Sequence, residues 1–329
     1  MTRFLLRRLL GAAGVLFALA AVIYVIFYLM PGDPAVLACG KGCTAPQLAA
    51  VRHSLGTDRP IPEQFWTFLS TLVAGHHYSS GPTTVWCSAP CLGYSYQSAE
   101  PVTQMLLDRL PVDVSLTLGA AALWLALGIG AGLYSARRPG SARDRITGFV
   151  VLTLGSTPVF ILALFLLLAA CVWLQVLPFP TYVPFTEDPA QWAQNLLLPW
   201  LAIALVSAAG YARLTRAGVL EALSLDHIRT LRAYGWSERR IVTRHAVRGA
   251  LPTLATVAAM DIGALLAGAV FTETMFGLPG LGKLTVDSAS SLDLPVVCGV
   301  TLLAGVLVIA ANTAADLLYA ALDPRVRIR

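Results

Sequence analysis

Charge is scarce in this chain. Only 12% of its 329 residues are Asp, Glu, Lys or Arg, against roughly 25% in soluble domains. By contrast, 57% are hydrophobic, and mean hydropathy is +0.70. That balance excludes an ordinary soluble domain and points to a chain that crosses a bilayer several times. Catalytic signatures are missing too. Neither His-Glu-x-x-His nor Gly-x-Ser-x-Gly occurs, so no zinc hydrolase centre or nucleophile elbow is indicated. A phosphate loop fails by one hydroxyl. In Gly277-Leu-Pro-Gly-Leu-Gly-Lys-Leu284, Leu284 stands where Ser or Thr must hold magnesium, so the segment reads as a turn between membrane helices. There is also no low-complexity tract and no inverted repeat of the kind that marks ion-coupled secondary transporters.

What is present is long apolar runs. Six are long enough for ~30 Å of hydrocarbon at 1.5 Å per residue: Leu9–Met30, Val114–Ala136, Ile146–Val176, Leu196–Gly218, Leu254–Phe276 and Pro295–Leu322. The third is over-long and carries Pro158, which predicts a kink or tilt. Ala18-Leu19-Ala20 imitates a signal-cleavage site, but the run continues to Met30. That is too long for a signal core, so an uncleaved first helix is expected.

Six spans put both termini on one side. Basic residues then fall three before the first span, four over 137–145, eight over 213–248 and three in the tail. Only Lys41, Arg52, Arg59, Arg109 and Lys283 lie opposite. The positive-inside rule makes the crowded side cytoplasmic. These arginines border membrane helices with no nucleic-acid-binding fold around them, so a nucleic-acid partner is excluded; membrane lipid is the surrounding that the several spans imply.

Two polar regions interrupt the apolar pattern. The outer one follows the first span, over residues 31–111. In it Phe65, Phe68, Leu69 and Leu72 recur at helical spacing, which predicts a short amphipathic helix lying on the rim. The inner one, 219–251, is basic and amphipathic. Asp226 can cap a short helix, Ile228 and Leu231 lie one turn apart on it and can enter a partner's groove, and Arg229 and Arg232 flank them with positive charge. Ala233 ends its run, Gly235 breaks it, and Ser237 can cap the next helix, which Pro252 leads into the membrane.

The inner segment, Asp226 to Pro252, resembles the coupling loop of ABC-importer permeases. Further strings place the resemblance in the B-type subunits of dipeptide and oligopeptide permeases. They are, in order, Met30-Pro-Gly-Asp-Pro34, Leu55-Gly-Thr-Asp-Arg-Pro60, Tyr94-Ser-Tyr96, Arg109-Leu-Pro111, Ala267 to Phe276 followed by Leu278-Pro-Gly-Leu-Gly282, and Asp323-Pro-Arg325. Each is weak alone, but together they cover nearly the whole chain.

The resemblance implies an all-α polytopic membrane protein of ABC type-1 permease fold. It would have six transmembrane helices and an extracytoplasmic segment after the first. Residues 1–30 are then the first helix, 112–322 the permease core and 323–329 a cytoplasmic tail. It implies no catalytic or metal site and no cofactor in this chain, with ATP and magnesium bound by partner ATPases. The implied partners are a homologous C-type permease subunit, two cytoplasmic ABC ATPases, an extracytoplasmic peptide-binding protein and a peptide substrate. Nickel or oligosaccharide cargo and an ion-coupled secondary transporter are the alternatives.

Two acidic residues are candidates for the translocation path. Asp261 lies mid-span, where a carboxylate is costly unless hydrated or paired. It either lines a cavity or pairs with a polar group on another helix. Glu273, twelve residues on along the expected helix, falls on a similar face. Cys171 and Cys298 lie in spans and read as packing residues. Cys39, Cys43, Cys87 and Cys91 form two Cys-x3-Cys pairs outside. An even count in an oxidising compartment predicts two disulfides, with bonds across the long stretch between the pairs favoured over local ones. His53, His76 and His77 raise a metal site as the alternative, but the spacing fits no zinc pattern.

Overall fold

The computed structural model describes residues 2–28, 35–36, 44–55, 60–80 and 83–322. The Met30-Pro34 string, Gly56–Arg59, Cys39, Cys43 and the 323–329 tail lie outside them. The chain forms two compact units. One comprises Met1–Pro111, Ala267–Val270 and Pro279–Ile309; the other comprises Val112–Leu266, Phe271–Leu278 and Ala310–Arg329.

In the first unit, α1 (Thr2–Tyr28) is followed by α2 (Ala45–Leu55) and α3 (Ile61–Ala74). Pro62 sits in the first turn of α3, where a missing N–H costs nothing, and Gly75 (φ +78°) ends the helix. Its apolar face is the one expected. Phe65 meets Tyr24 edge-on at 5.2 Å, and Tyr24 donates to Gln64 at 3.0 Å. Phe68, Leu69 and Leu72 pack around Ala20 and Ile23 of α1 and around Cys298 and Leu302. The opposite face leaves Trp66 and Val73 exposed.

The chain then forms two hairpins, so the fold is not all helix. β1 (His76–Ser80) pairs antiparallel with β2 (Thr83–Cys87), and β3 (Tyr94–Ser95) with β4 (Glu100–Pro101). Here the disulfide expectation needs correcting. Cys87 is bonded to Cys91, four residues on, with their Cα atoms 5.6 Å apart. Pairing of β2 with β1 fixes Cys87 at the hairpin's end, and the next turn returns Cys91 beside it, well within bridging distance. A long-range bond from either residue is thereby excluded.

Ser95 donates to the buried Asp293 carboxylate at 2.5 Å, and Gln97 donates to Ser291 O at 3.0 Å. Burial pushes the Asp293 carboxyl above the usual carboxylate range, against its hydrogen bonds from Ser95 and the Val296 amide.

The long helix α4 (Val102–Ala136) begins in this unit and continues in the second. Its first turns bury Val102 and Leu106 against Leu281 and Leu284 of α11 (Leu281–Ser291). Val296 and Val300 of α12 (Leu294–Leu322) complete that cluster.

The second unit is built on α7 (Pro189–Leu223), started by Asp188, whose carboxylate accepts from the amides of Ala190 and Gln191. Glycines let α4 approach it. A Cβ on Gly128 would fall 2.5 Å from Tyr211 Cβ, and one on Gly132 would fall 2.6 Å from Ala212 O. Trp200 donates its indole N–H to Ser115 O at 3.0 Å. This is the small-residue packing expected of helices that meet in lipid, where close contact replaces hydrophobic drive.

On another side, α5 (Ala142–Ser156) buries Val151 with Ala209 and Ala212. The expected kink falls at Pro158. There α6 (Val159–Leu167, running on in a π-helical turn to Trp173) leaves α5 at 98°. Two more helices belong to the region of the inner loop: α8 (Asp226–Ala233) and α9 (Glu238–Leu266), the latter containing a π-helical turn at Ile241–Ala246.

Among the described residues four helices are long and apolar enough to cross a membrane, or five if the bent α5–α6 pair is one span. The apolar part of α1, Leu10–Ile26, is shorter. The expected fifth span, Leu254–Phe276, is corrected. Its helix is α9, which stops at Leu266; a separate short helix, α10, covers Val270–Phe276. Gly268 makes the break. Its φ is +123°, a backbone state that other residues rarely adopt, and a Cβ there would lie 2.9 Å from Gly282 Cα.

Candidate functional site

The inner loop folds into a short helix held between two long ones. Leu225, rather than Asp226, occupies the N-cap of α8, and no side chain caps it. Asp226 is the first helical residue and pairs loosely with Arg229 at 3.5 Å across one turn, both largely exposed. Gly235 (φ +77°) ends the helix as expected: its amide reaches Arg232 O at 3.0 Å, and the Trp236 amide reaches Leu231 O at 3.2 Å. Those two bonds satisfy carbonyls that the last turn would leave open. Ser237 does stand at the N-cap of α9, but its side chain makes no capping bond.

Burial divides the candidate residues of α8. Ile228 is 0% exposed, where α8 packs on the π-helical turn of α9 with its buried Ile241, Val242 and Ala246. The expectation that Ile228 enters a partner's groove is therefore corrected, because this side chain anchors the helix to its own chain. Leu231 is half-buried. Arg229 and Ala233 are exposed, as is Tyr234 at 78%. Arg232 does not simply offer charge outward. It forks onto Glu238 at 2.6 and 3.4 Å, and that carboxylate raises the guanidinium above its ordinary value. The fork closes the Gly235 turn like a brace. Trp236 rests edge-on to His245 and under Arg240.

Beside α8, a cavity of about 420 Å³ opens between α7 and α9, with Leu214, Gly218, Glu221, Leu225, Gly249 and Leu254 among its lining residues. A second polar cluster fixes α7 to the turn that joins α4 and α5. Arg216 grips Asp144 with two bonds of 2.8 Å, Ser135 also donates to Asp144, and the Gly140 amide reaches its second oxygen at 2.9 Å.

This arrangement has known counterparts. Residues 1–117 match the family described as the N-terminal part of binding-protein-dependent transport system membrane components. Residues 128–328 match the binding-protein-dependent transport system inner membrane component family. The chain belongs to that family, the permeases of ABC importers. The permease is 37% identical over 329 residues to a Brucella abortus protein provisionally named a peptide transport system permease protein, with 99% of each chain covered. It is 34% identical to the glutathione transport system permease protein GsiC of Pectobacterium atrosepticum, over the full length of both. In fold it resembles a chain of the inward-facing MetNI methionine ABC transporter, with TM-score 0.51 and 19% identity, over 67% of this chain and 97% of that one. It is thus a multi-pass inner-membrane protein of ABC type-1 permease fold, from a family of permeases and not of ATPases.

Within the permease, Asp261 of α9 is half-buried and accepts a 2.7 Å hydrogen bond from Tyr211 of α7. Trp124 of α4 lies beside the same tyrosine, ring centroids 6.1 Å apart. Glu273 is 0% exposed, on α10 and not on the helix of Asp261, so the shared-face argument fails. Its carbonyl accepts from the Leu278 amide at 2.9 Å.

Sequence reasoning misses Tyr211, Arg216 with Asp144, and Glu238. Tyr211, Arg216 and Asp144 are polar residues inside or at the edge of an apolar run, whereas Glu238 lies within the polar inner loop. The signal of a polar residue in an apolar run singles out Asp261, and it extends to the first three.

Proposed function

We propose that this permease imports peptides, di- or oligopeptides, across a bacterial cytoplasmic membrane. It would work with a homologous C-type permease, two cytoplasmic ABC ATPases and an extracytoplasmic peptide-binding protein. The observation that carries the coupling is α8: a short helix anchored by one buried residue, Ile228, and presenting Arg229 and Ala233 outward, with Leu231 half-buried and Tyr234 exposed just past its end. Peptide cargo is supported by the relatives, since one is named for peptides and another for glutathione, itself a small peptide.

In this reading six spans place both termini in the cytoplasm, and ATP and magnesium sit on the ATPases. ATP closes the ATPase pair, which carries α8 with it, and the packed helices rock between inward- and outward-open states. Asp261 lines the path with Tyr211 orienting its carboxylate, and Glu273 sits near the outer exit.

Three experiments test this. The isolated permease is expected to hydrolyse no ATP and to co-purify with the ATPases when co-expressed. In proteoliposomes carrying the binding protein, peptide uptake should require ATP. Uptake driven by an ion gradient without ATPases would sink the coupling reading, and uptake of nickel but no peptide would sink the cargo. For the path, Asp261→Asn is expected to lower uptake several-fold while the complex assembles and keeps its basal ATPase rate. Failure to assemble would make the Tyr211–Asp261 bond a structural tie instead.

A further inference from the structure

The turn between α4 and α5 carries more positive charge than the fold uses. Arg137, Arg138, Arg143 and Arg145 lie within nine residues, all exposed, and none has a carboxylate partner among the described residues. The one acid in the turn, Asp144, is wholly engaged by Arg216, Ser135 and the Gly140 amide. Arg143 is positioned as well as charged: its guanidinium carbon stands 5.7 Å from the centre of the Tyr134 ring, which is itself half-exposed.

Directly after the arginines, α5 turns apolar outward. Ile146 (64% exposed), Phe149 (71%) and Val150 follow at one-turn spacing and share a face. A patch of guanidinium groups therefore passes without interruption into an apolar wall.

We infer that this turn binds the phosphate headgroup of an anionic phospholipid, with the acyl chains lying along Ile146, Phe149 and Val150. Guanidinium groups take phosphate oxygens through paired N–H donors. A tyrosine at headgroup depth suits the boundary between wet and apolar zones. The choice of lipid over a protein partner rests on that continuity. A protein's acidic surface would match the arginines but leave the apolar wall uncovered, whereas a phospholipid matches both. The inference does not depend on the cargo.

The test uses the assembled importer, permease pair with ATPases, in nanodiscs of equal parts phosphatidylglycerol and phosphatidylcholine. After delipidating washes, the retained lipids are counted by mass spectrometry. The wild type is expected to keep phosphatidylglycerol preferentially. Replacing the four arginines together (Arg137→Gln, Arg138→Gln, Arg143→Gln, Arg145→Gln) should cut that preference at least about fivefold, the effect of one surface arginine on anionic lipid.

Arg239→Gln with Arg240→Gln, at the start of α9, should leave the preference unchanged. An equal fall there would reduce the effect to general positive charge and overturn the site. Unchanged retention in the four-arginine variant overturns it as well. So does loss of the ATPases with lipid retained, which would make the turn a protein-docking surface. If the four-arginine variant does not accumulate, Tyr134→Leu with Arg143→Gln is read by the same ratio. A drop supports the site and no drop refutes it.

Discussion

Gly128→Leu and Gly132→Leu are each expected to leave almost no folded permease, whereas Gly130→Ala, on the same helix between them, should be neutral or slightly stabilising. The contrast follows from what each Cβ would meet. At Gly128 it would strike Tyr211 Cβ at 2.5 Å and Ala208 O at 3.0 Å, and at Gly132 both Ala212 O and Thr215 Cβ at 2.6 Å. At Gly130 nothing lies within 4 Å. Overpacking a well-filled contact costs typically ~1–3 kcal/mol. A leucine against backbone atoms that cannot retreat costs more, enough to separate α4 from α7. At an open helical position, alanine instead gains up to ~1 kcal/mol over glycine. The measurement is the monodisperse fraction of a fluorescent fusion on size exclusion, with a thermal melt in detergent. Equal yields for all three variants would mean that α4 and α7 do not pack as described.

The second large effect concerns Ile228. Ile228→Asp places a carboxylate where α8 is pinned to α9, a site with 0% exposure. A buried unpaired charge costs several kcal/mol, against which α8 has only eight residues and its terminal turn to hold it. ATPase co-purification and ATP-driven uptake are both expected to fall more than tenfold. Ile228→Val, losing ~0.5–1.5 kcal/mol, should keep most of both. Charge reversal at the exposed Arg229 tests the outer face instead: docking should weaken, more so at low salt. Full uptake by Ile228→Asp would show that α8 need not be anchored to couple.

Part of this fold is legible in the sequence alone. Pro158 announces the bend between α5 and α6, because a proline cannot continue the hydrogen-bond ladder. Gly235 announces the end of α8. Phe65, Phe68, Leu69 and Leu72 give α3 its buried face, since helical spacing depends only on neighbours in the chain. The family is legible in its short strings.

Other features depend on contacts that no local pattern contains. The segment from Leu254 to Phe276 is long and apolar enough to read as one span, so the break at Gly268 is invisible until Gly282 is seen packed against it. The favoured cysteine pairing fails because β1 and β2 pair and leave Cys87 beside Cys91. A strand signal is present in the β-branched and aromatic run Thr83-Thr84-Val85-Trp86, but its partner strand, with two histidines and two serines, gives no matching one. Asp226 has the right chemistry for a cap and the wrong position by one residue. The role of Ile228 follows the same logic, as amphipathic spacing shows that a face is apolar but not which neighbour covers it.

The grip of Arg216 on Asp144 has a mechanical meaning. Arg216 lies seven residues before the end of α7 at Leu223, roughly 10 Å along the helix axis at 1.5 Å per residue. Beyond that pinned point, only Ser224 and the extended Leu225 separate the end of α7 from α8. A force applied to α8 thus acts on a short stiff arm with a fulcrum at Arg216. In the proposed coupling, the arm's swing would reach the α4–α5 turn through the Arg216–Asp144 ion pair.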